Sequence, residues 1–297
     1  MRWEDFRRSD NVEDRRGETE YAGGGPGFGG GQLGIGAIVV LGLIGWALGI
    51  DPRLLIGGAE MMSGARHGGQ TQSAPPPSRQ AGAPSDQMGQ FVAAVLAENE
   101  DVWTDILPSQ KGVAYVKPKL VLYNGSTRSG CGGASASMGP FYCPNDQKVY
   151  LDTSFFRDMK EKLGGGGDFA YAYVIAHEIG HHVQNLLGIL PKVQAAQQRA
   201  SSKAQANAIS VRVELMADCL AGVWAANAQK KYQILDPGDI DKAVRTAQAI
   251  GDDRLQKAAQ GYIVPDSFTH GSAAQREQWL NTGLKSGEVD ACNTFAR

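Results

Sequence analysis

Several shortages in the sequence each narrow what it can do. It lacks a charge excess, since 29 Lys and Arg stand against 31 Asp and Glu, a net charge of −2. A protein that grips nucleic acid through its phosphates needs a basic surplus or stripe, so that class is set aside. It lacks any CxxC pair, which makes a zinc–thiolate cluster a poor account of its four cysteines. The run Gly164–Gly167 lacks GxxxxGKS/T and GxGxxG spacing, so it reads as a flexible entry into a helix and not as a phosphate cradle. No internal period of about 20–50 residues is present, which excludes solenoids and propellers. Finally, the chain has a single long uncharged apolar run. With 42% hydrophobic residues it can fill a globular core but not a polytopic membrane protein.

What is abundant is glycine, and it is unevenly spread: 19 of the 39 glycines fall in residues 1–87. Residues 1–31 mix charge with glycine and bury too little apolar surface to offset ordering entropy, which predicts a disordered tail. Leu33 to Ile50 then runs 18 residues without a charge. As a helix it would be about 27 Å long, close to a bilayer's hydrocarbon thickness. Residues 32–50 are therefore expected to be a transmembrane helix, because a 31-residue lead is too long for a signal-peptide n-region. Arg2, Arg7, Arg8, Arg15 and Arg16 precede the run, and only Arg53 and Arg66 follow it closely. That bias favours a cytoplasmic N-terminus and an extracytoplasmic, periplasmic remainder, hence a single-pass inner-membrane protein. Residues 51–87, rich in Gly, Ser, Gln and Pro, have linker composition, and the folded domain is expected over 88–297.

All four cysteines lie in that domain. In an oxidising compartment they form two bridges, with three possible connectivities. Cys131–Cys143 with Cys219–Cys292 is favoured, since the first pair brackets a short loop.

Apolar patterning predicts helices over 88–106, 168–187, 239–250 and 253–260, and strands over 112–116, 120–123 and 148–152. Asp168 reads as the cap and Gly188 as the stop of the second helix. Within it stands His177-Glu178-Ile179-Gly180-His181. Positions i and i+4 share a helix face, so both imidazoles can reach one metal ion. Glu178 lies about 100° round the helix, where it can avoid the metal yet reach a metal-bound water. His182 lies about 140° from His177 and is not expected to ligate.

A catalytic zinc needs three protein ligands and one open position, and no third histidine follows at the required spacing. Downstream, Glu214-Leu215-Met216-Ala217-Asp218 puts two carboxylates at i and i+4 inside an apolar helix, where unpaired they would be costly. Glu214 is thus the candidate third ligand, and Asp218 the group that orients an imidazole.

With these residues in hand, the sequence resembles the gluzincin zinc metallopeptidases, which pair HExxH with a downstream ExxxD. More narrowly it resembles the bacterial membrane-anchored neutral zinc metallopeptidases. Further carriers are Asn11–Arg16, the glycine-rich anchor, Gly139–Pro144, Val149–Asp152, Glu214–Gly222, Gly251–Arg254 and Thr269–Ser272. The resemblance implies an α+β, zincin-like domain, mostly helical with a small sheet. It implies Zn²⁺ held by His177, His181 and Glu214, a water activated with Glu178 as base, and a peptide or protein substrate. It also implies two finer roles. His270, just ahead of a Ser272…Gln275 capping box, is the candidate oxyanion donor. The segment 136–141, with Ser137, Gly139 and Phe141, resembles the edge strand on which such enzymes lay an extended peptide. The expected function is a membrane-tethered zinc endopeptidase. Two rivals are a non-catalytic, zinc-stabilised interaction protein at the membrane and a zinc amidase of the cell envelope.

Overall fold

The computed structural model describes residues 1–18, 84–162 and 166–296. In chain order its regular elements are β1 (Val12–Asp14), α1 (Gln87–Lys111), β2 (Lys119–Tyr123), β3 (Ser126–Ser129), β4 (Gly132–Ser135), β5 (Phe141–Cys143) and β6 (Lys148–Asp152). Helices follow: α2 (Ser154–Lys162), α3 (Asp168–Leu186), α4 (Ile189–Gln198), α5 (Lys203–Tyr232), α6 (Asp239–Ala249), α7 (Asp252–Gln260) and α8 (Ala273–Ser286). The architecture is α+β, mostly helical with a small sheet, as expected.

Local chemistry marks the helix ends. The Asp86 side chain accepts from the Gly89 amide ahead of α1, and Ser202 does the same from Gln205 ahead of α5. Ser272 and Gln275 close a full capping box on α8. The expected cap of α3 is corrected: Gly167 is the cap and Asp168 the first helical residue, its carboxylate accepting from the Trp3 indole at 3.1 Å.

The four-stranded sheet has the order β1-β2-β6-β5, with β1, β2 and β6 parallel and β5 antiparallel at the edge. β3 and β4 form a separate hairpin. Cys131 at its tip is bridged to Cys143 of β5, so the hairpin braces the edge strand. Such a short closure contributes about 3 kcal/mol in the chain-entropy model. Cys219 of α5 is bridged to Cys292, tying the C-terminal segment to that helix. Both bridges suit an oxidising, extracytoplasmic compartment.

The core forms where α3, α5 and α8 pack together with α1 and the sheet. Contact between α5 and α8 is close because glycine faces backbone on both sides. A Cβ on Gly283 would lie 1.9 Å from the Cys219 carbonyl oxygen, and one on Gly222 would lie 2.3 Å from that of Leu280. The small residues let the C-terminal helix sit directly on α5.

Three expectations need correction. The expected strand over 112–116 is irregular and pairs with no strand among the described residues, and the Val116 carbonyl accepts from His182 instead of joining a ladder. Ala136–Met138 is a 3₁₀ turn and only Phe141–Cys143 is the edge strand, since β3 and β4 consume the residues before it. The first 18 residues of the expected disordered tail are folded onto the domain. β1 pairs with β2 in the register Val12↔Leu120, and Trp3 is buried edge-on against Phe91. The apolar surface of Met1 and Trp3, with strand pairing, supplies the ordering energy that composition averaged over 1–31 had hidden. The expected anchor at 32–50 and linker at 51–87 lie, but for residues 84–87, outside the described residues. Among the described residues no helix is long and apolar enough to cross a membrane.

One core group bears on stability. Glu98 of α1 is 2% exposed, and neither carboxylate oxygen has a hydrogen-bond partner among the described residues. Burial, helped by the nearby Asp101 charge, pushes its carboxyl up to about 8. The native state then holds a proton that the unfolded chain releases near pH 4.3. Stability should therefore fall by about 1.4 kcal/mol per pH unit as pH rises from about 4.3 to that value. Glu98→Met should flatten this slope and raise the urea midpoint at pH 8 more than at pH 5. An equal midpoint shift at both pH values would refute the assignment.

Candidate metal centre

The i, i+4 spacing on α3 brings the two imidazoles to one side, where they meet Glu214 of the antiparallel-packed α5. His177 Nε2 and His181 Nε2 stand 3.1 and 3.5 Å from Glu214 Oε2. The three ligand atoms lie within 4.8 Å of one another, the convergence a single cation needs.

Each imidazole is held by its other nitrogen. His177 Nδ1 lies 2.9 Å from Asp218 Oδ1, and His181 Nδ1 lies 3.0 Å from Gln184 Oε1. Gln184 in turn donates its amide to the Val213 carbonyl at 2.7 Å, which turns its oxygen toward His181. With both Nδ1–H groups donating, both Nε2 lone pairs face Glu214, the tautomer a metal ligand requires. The donor set and its support fit Zn²⁺.

Asp218 is fully buried, and three side chains surround it with four hydrogen bonds. The Tyr173 hydroxyl donates to Oδ1 at 2.6 Å, and Arg276 donates through Nε to Oδ2 at 2.8 Å and through Nη2 to Oδ1 at 2.9 Å. His177 completes the shell. Burial would raise the Asp218 carboxyl, but the Arg276 charge and the hydrogen bonds hold it well below the usual range. In the metal-free site His177 is pushed up to about 10: burial pulls it down, and Asp218 and Glu214 outweigh that. Glu178 is 7% exposed and burial raises its carboxyl above the ordinary value.

His270 lies in the loop before α8, near enough to Glu178 and Glu214 to bear electrostatically on both carboxyls. Its backbone is fixed from α7. Asp252 Oδ2 accepts from the amides of Thr269, His270 and Gly271 at 2.7, 2.7 and 3.0 Å, and Oδ1 lies 3.5 Å from His270 Nδ1. Gly271 adopts φ +96°, and a Cβ there would press on Leu215 at 3.1 Å, beside the candidate ligand Glu214. That explains the glycine after the histidine.

The structure thus gathers His177, Glu178, His181, Glu214, Asp218 and His270. It separates the three expected substrate contacts. Ser137 lies in the 3₁₀ turn and Gly139 caps it at φ +70°, whereas Phe141 is on β5, stacked on Tyr150. The next residue of β5, Tyr142, faces α3, where its hydroxyl meets His182 Nδ1 at 3.0 Å and accepts from Asn185 at 3.1 Å. His182 is no ligand; its Nε2 donates to the Val116 carbonyl at 2.6 Å. Sequence reasoning missed Gln184, Tyr173, Arg276 and Asp252. Asp252 stood in the Gly251–Arg254 motif without a role, while the other three looked like ordinary helix residues.

The sequence matches, over residues 1–295, the family described as "Putative neutral zinc metallopeptidase". The chain belongs to this family. It is 47% identical over 304 aligned residues to the uncharacterized protein YpfJ of Escherichia coli (strain K12), covering 100% of this chain and 99% of that one. It is 44% identical over 205 residues to the uncharacterized protein Rv2575 of Mycobacterium tuberculosis (strain H37Rv), covering 66% of each chain. The same figures hold for the uncharacterized protein Mb2605 of Mycobacterium bovis. No solved structure matches the chain.

The assignment of His182 can be checked directly. His182→Phe keeps the ring and removes both hydrogen bonds, orphaning the Val116 carbonyl. It should cost about 1–3 kcal/mol of stability and leave zinc stoichiometry unchanged by atomic absorption. Loss of the metal would make His182 a ligand after all.

Proposed function

We propose that the protein is a zinc-dependent endopeptidase of zincin type acting in an extracytoplasmic compartment. The observation that carries this reading is the placement of Glu178. A structural zinc site has no use for a buried carboxylate beside the metal position, and a hydrolytic one requires it. A further support is β5, an edge strand lying against the helix that bears both histidines, with Phe141 on it.

Zn²⁺ held by His177, His181 and Glu214 would supply a Lewis acid that polarises the scissile carbonyl and makes water a competent nucleophile near neutral pH. The protein's own groups do the rest. Glu178, with a carboxyl raised by burial, takes the proton of the attacking water and delivers it to the departing amine nitrogen. His270 donates to the carbonyl oxygen as negative charge builds there, from a loop that Asp252 keeps from moving. Asp218 and Gln184 keep the two imidazoles in a single tautomer and orientation. The free edge of β5 accepts an extended peptide by backbone pairing, which selects a peptide over other amides. The Cys131–Cys143 bridge keeps that edge from shifting.

Two variants test this in the full chain. Glu178→Gln should retain one zinc per chain and lose cleavage of a peptide library by at least about 10³-fold, and chelator should silence the parent. Equal cleavage by variant and parent would sink the mechanism. His270→Ala should lower kcat by about 10²-fold with little change in KM, the signature of a donor that acts in the transition state. A pure KM effect would reassign it to substrate binding.

A further inference from the structure

Arg276 is a buried cation beside the candidate metal site, and neither the motif nor the chemistry above uses it. It is 3% exposed and grips both oxygens of Asp218, at 2.8 and 2.9 Å. Its Nη2 also donates to the Tyr173 hydroxyl at 3.2 Å, and its Nη1 to the Ile250 carbonyl at 3.3 Å. A carboxylate held by one hydrogen bond can swing about its Cβ–Cγ bond. One held by a two-pronged guanidinium keeps its plane. The plane of Asp218 sets where its Oδ1 meets His177 Nδ1, and therefore where His177 Nε2 points.

We propose that Arg276 is a positioning residue: through Asp218 it fixes the imidazole of His177 as a metal ligand, coupling the C-terminal helix α8 to the metal centre. This rests on the zinc site proposed above. The coupling has a structural route. α8 approaches α5 at Gly222 and Gly283 closely enough for the guanidinium to reach a carboxylate in the middle of the core. A lysine in its place would keep the charge and lose the fork.

The test measures zinc affinity in the full chain by competition with a chelator of known affinity. It compares the parent, Arg276→Met, Arg276→Lys, Asp218→Asn and the double variant Asp218→Asn/Arg276→Met. Leu280→Ala, a core truncation on the same helix, controls for mere destabilisation. Arg276→Met should weaken zinc binding about 10–100-fold, and Arg276→Lys should lie between it and the parent. With Asn at 218 the loss of Arg276 should add less than about 3-fold, because the route is already cut. Leu280→Ala should lower Tm and keep the parent's zinc affinity. The inference is overturned if Arg276→Met binds zinc like the parent, or if its effect is undiminished beside Asp218→Asn. Should Arg276→Met not fold, Arg276→Lys decides: parent-like affinity overturns the inference. A parent that binds no zinc overturns the metal centre itself, and this inference with it.

A second inference stands on the other end of the chain. Residues 1–18 are not merely near the domain but part of its sheet and ion pairs. β1 pairs with β2 over three residues. Ser9 and Asn11 donate to Glu100 of α1 at 2.6 and 2.7 Å, and Arg7 pairs with Glu100 and Asp101 at 2.8 and 2.6 Å. Glu13 meets Lys148 of β6 at 2.9 Å, and Arg16 bridges Asp14 and Asp86. Strands of one sheet cannot be parted by a hydrocarbon layer about 30 Å thick. We infer that residues 1–18 occupy the same compartment as residues 84–296. Of the arginines counted as a cytoplasmic signal, Arg7 pairs with Glu100 and Asp101 and Arg16 with Asp86, while Arg2 donates to the Gln233 carbonyl and Arg8 to Gln90.

Labelling decides this in cells that make the full chain. All four native cysteines are in bridges, so a single introduced thiol reports alone. Asp5→Cys and Ser201→Cys both place it at exposed positions, one in each part. With a membrane-impermeant maleimide the two should behave alike, either both reacting in cells with an intact inner membrane or both reacting only after lysis. Reaction of one before lysis and the other only after it would overturn the inference.

Discussion

The buried charge of Asp218 is the constraint on which the rest of the domain turns. A carboxylate with no solvent contact must be neutralised from within, and removing one partner of such a pair costs about 3–5 kcal/mol. Tyr173 and His177 come from α3, Asp218 from α5 and Arg276 from α8. Satisfying one side chain therefore fixes three helices relative to one another. The candidate metal cluster is a by-product of that fixation: once α3 and α5 are locked at Asp218, Glu214 one turn earlier faces both Nε2 atoms.

Backbone proximity makes the arrangement possible. Glycines at 222 and 283 allow α5 and α8 to touch. The Cys219–Cys292 bridge then holds the C-terminal segment against the residue next to Asp218. On the opposite flank, Asp252 gathers three backbone amides to aim His270. The Cys131–Cys143 bridge and the Tyr142–His182 hydrogen bond attach the edge strand to α3. Each wall of the site is tied to a helix that carries a candidate ligand or to the loop that holds His270. A metal centre gains from this rigidity, because ligands held in one orientation lose little freedom on binding.

Much of this was legible beforehand where it depends on spacing along one element. The HExxH and ExxxD pairs are i, i+4 relations, and helical periodicity alone puts each on one face. The two disulfides followed from cysteine positions, and α3, β2 and β6 from apolar patterning. Other features escaped because they depend on distant partners. Glu178 and Asp218 could be ranked by motif, but nothing in Arg276's neighbourhood distinguishes it from a solvated helix arginine. The expected strand at 112–116 has the right composition and no strand beside it. The tail failed for the opposite reason: its mean composition is that of a disordered segment, yet Met1, Trp3 and Val12 find apolar partners that a local reading cannot supply.

By itself the sequence determined which groups share a helix face, and with that the candidate His177–His181–Glu214 cluster and the family. Those are short-range facts, set by 3.6 residues per turn. Only the tertiary structure decided what surrounds them: the carboxylate clamp on Asp218, the amide that turns Gln184 toward His181, the aim of His270, and the folding of the first 18 residues into the sheet. Each of these joins residues far apart in the chain or facing one another across packed helices. Burial makes them obligatory, because a polar group removed from water must find its partner wherever the fold brings one.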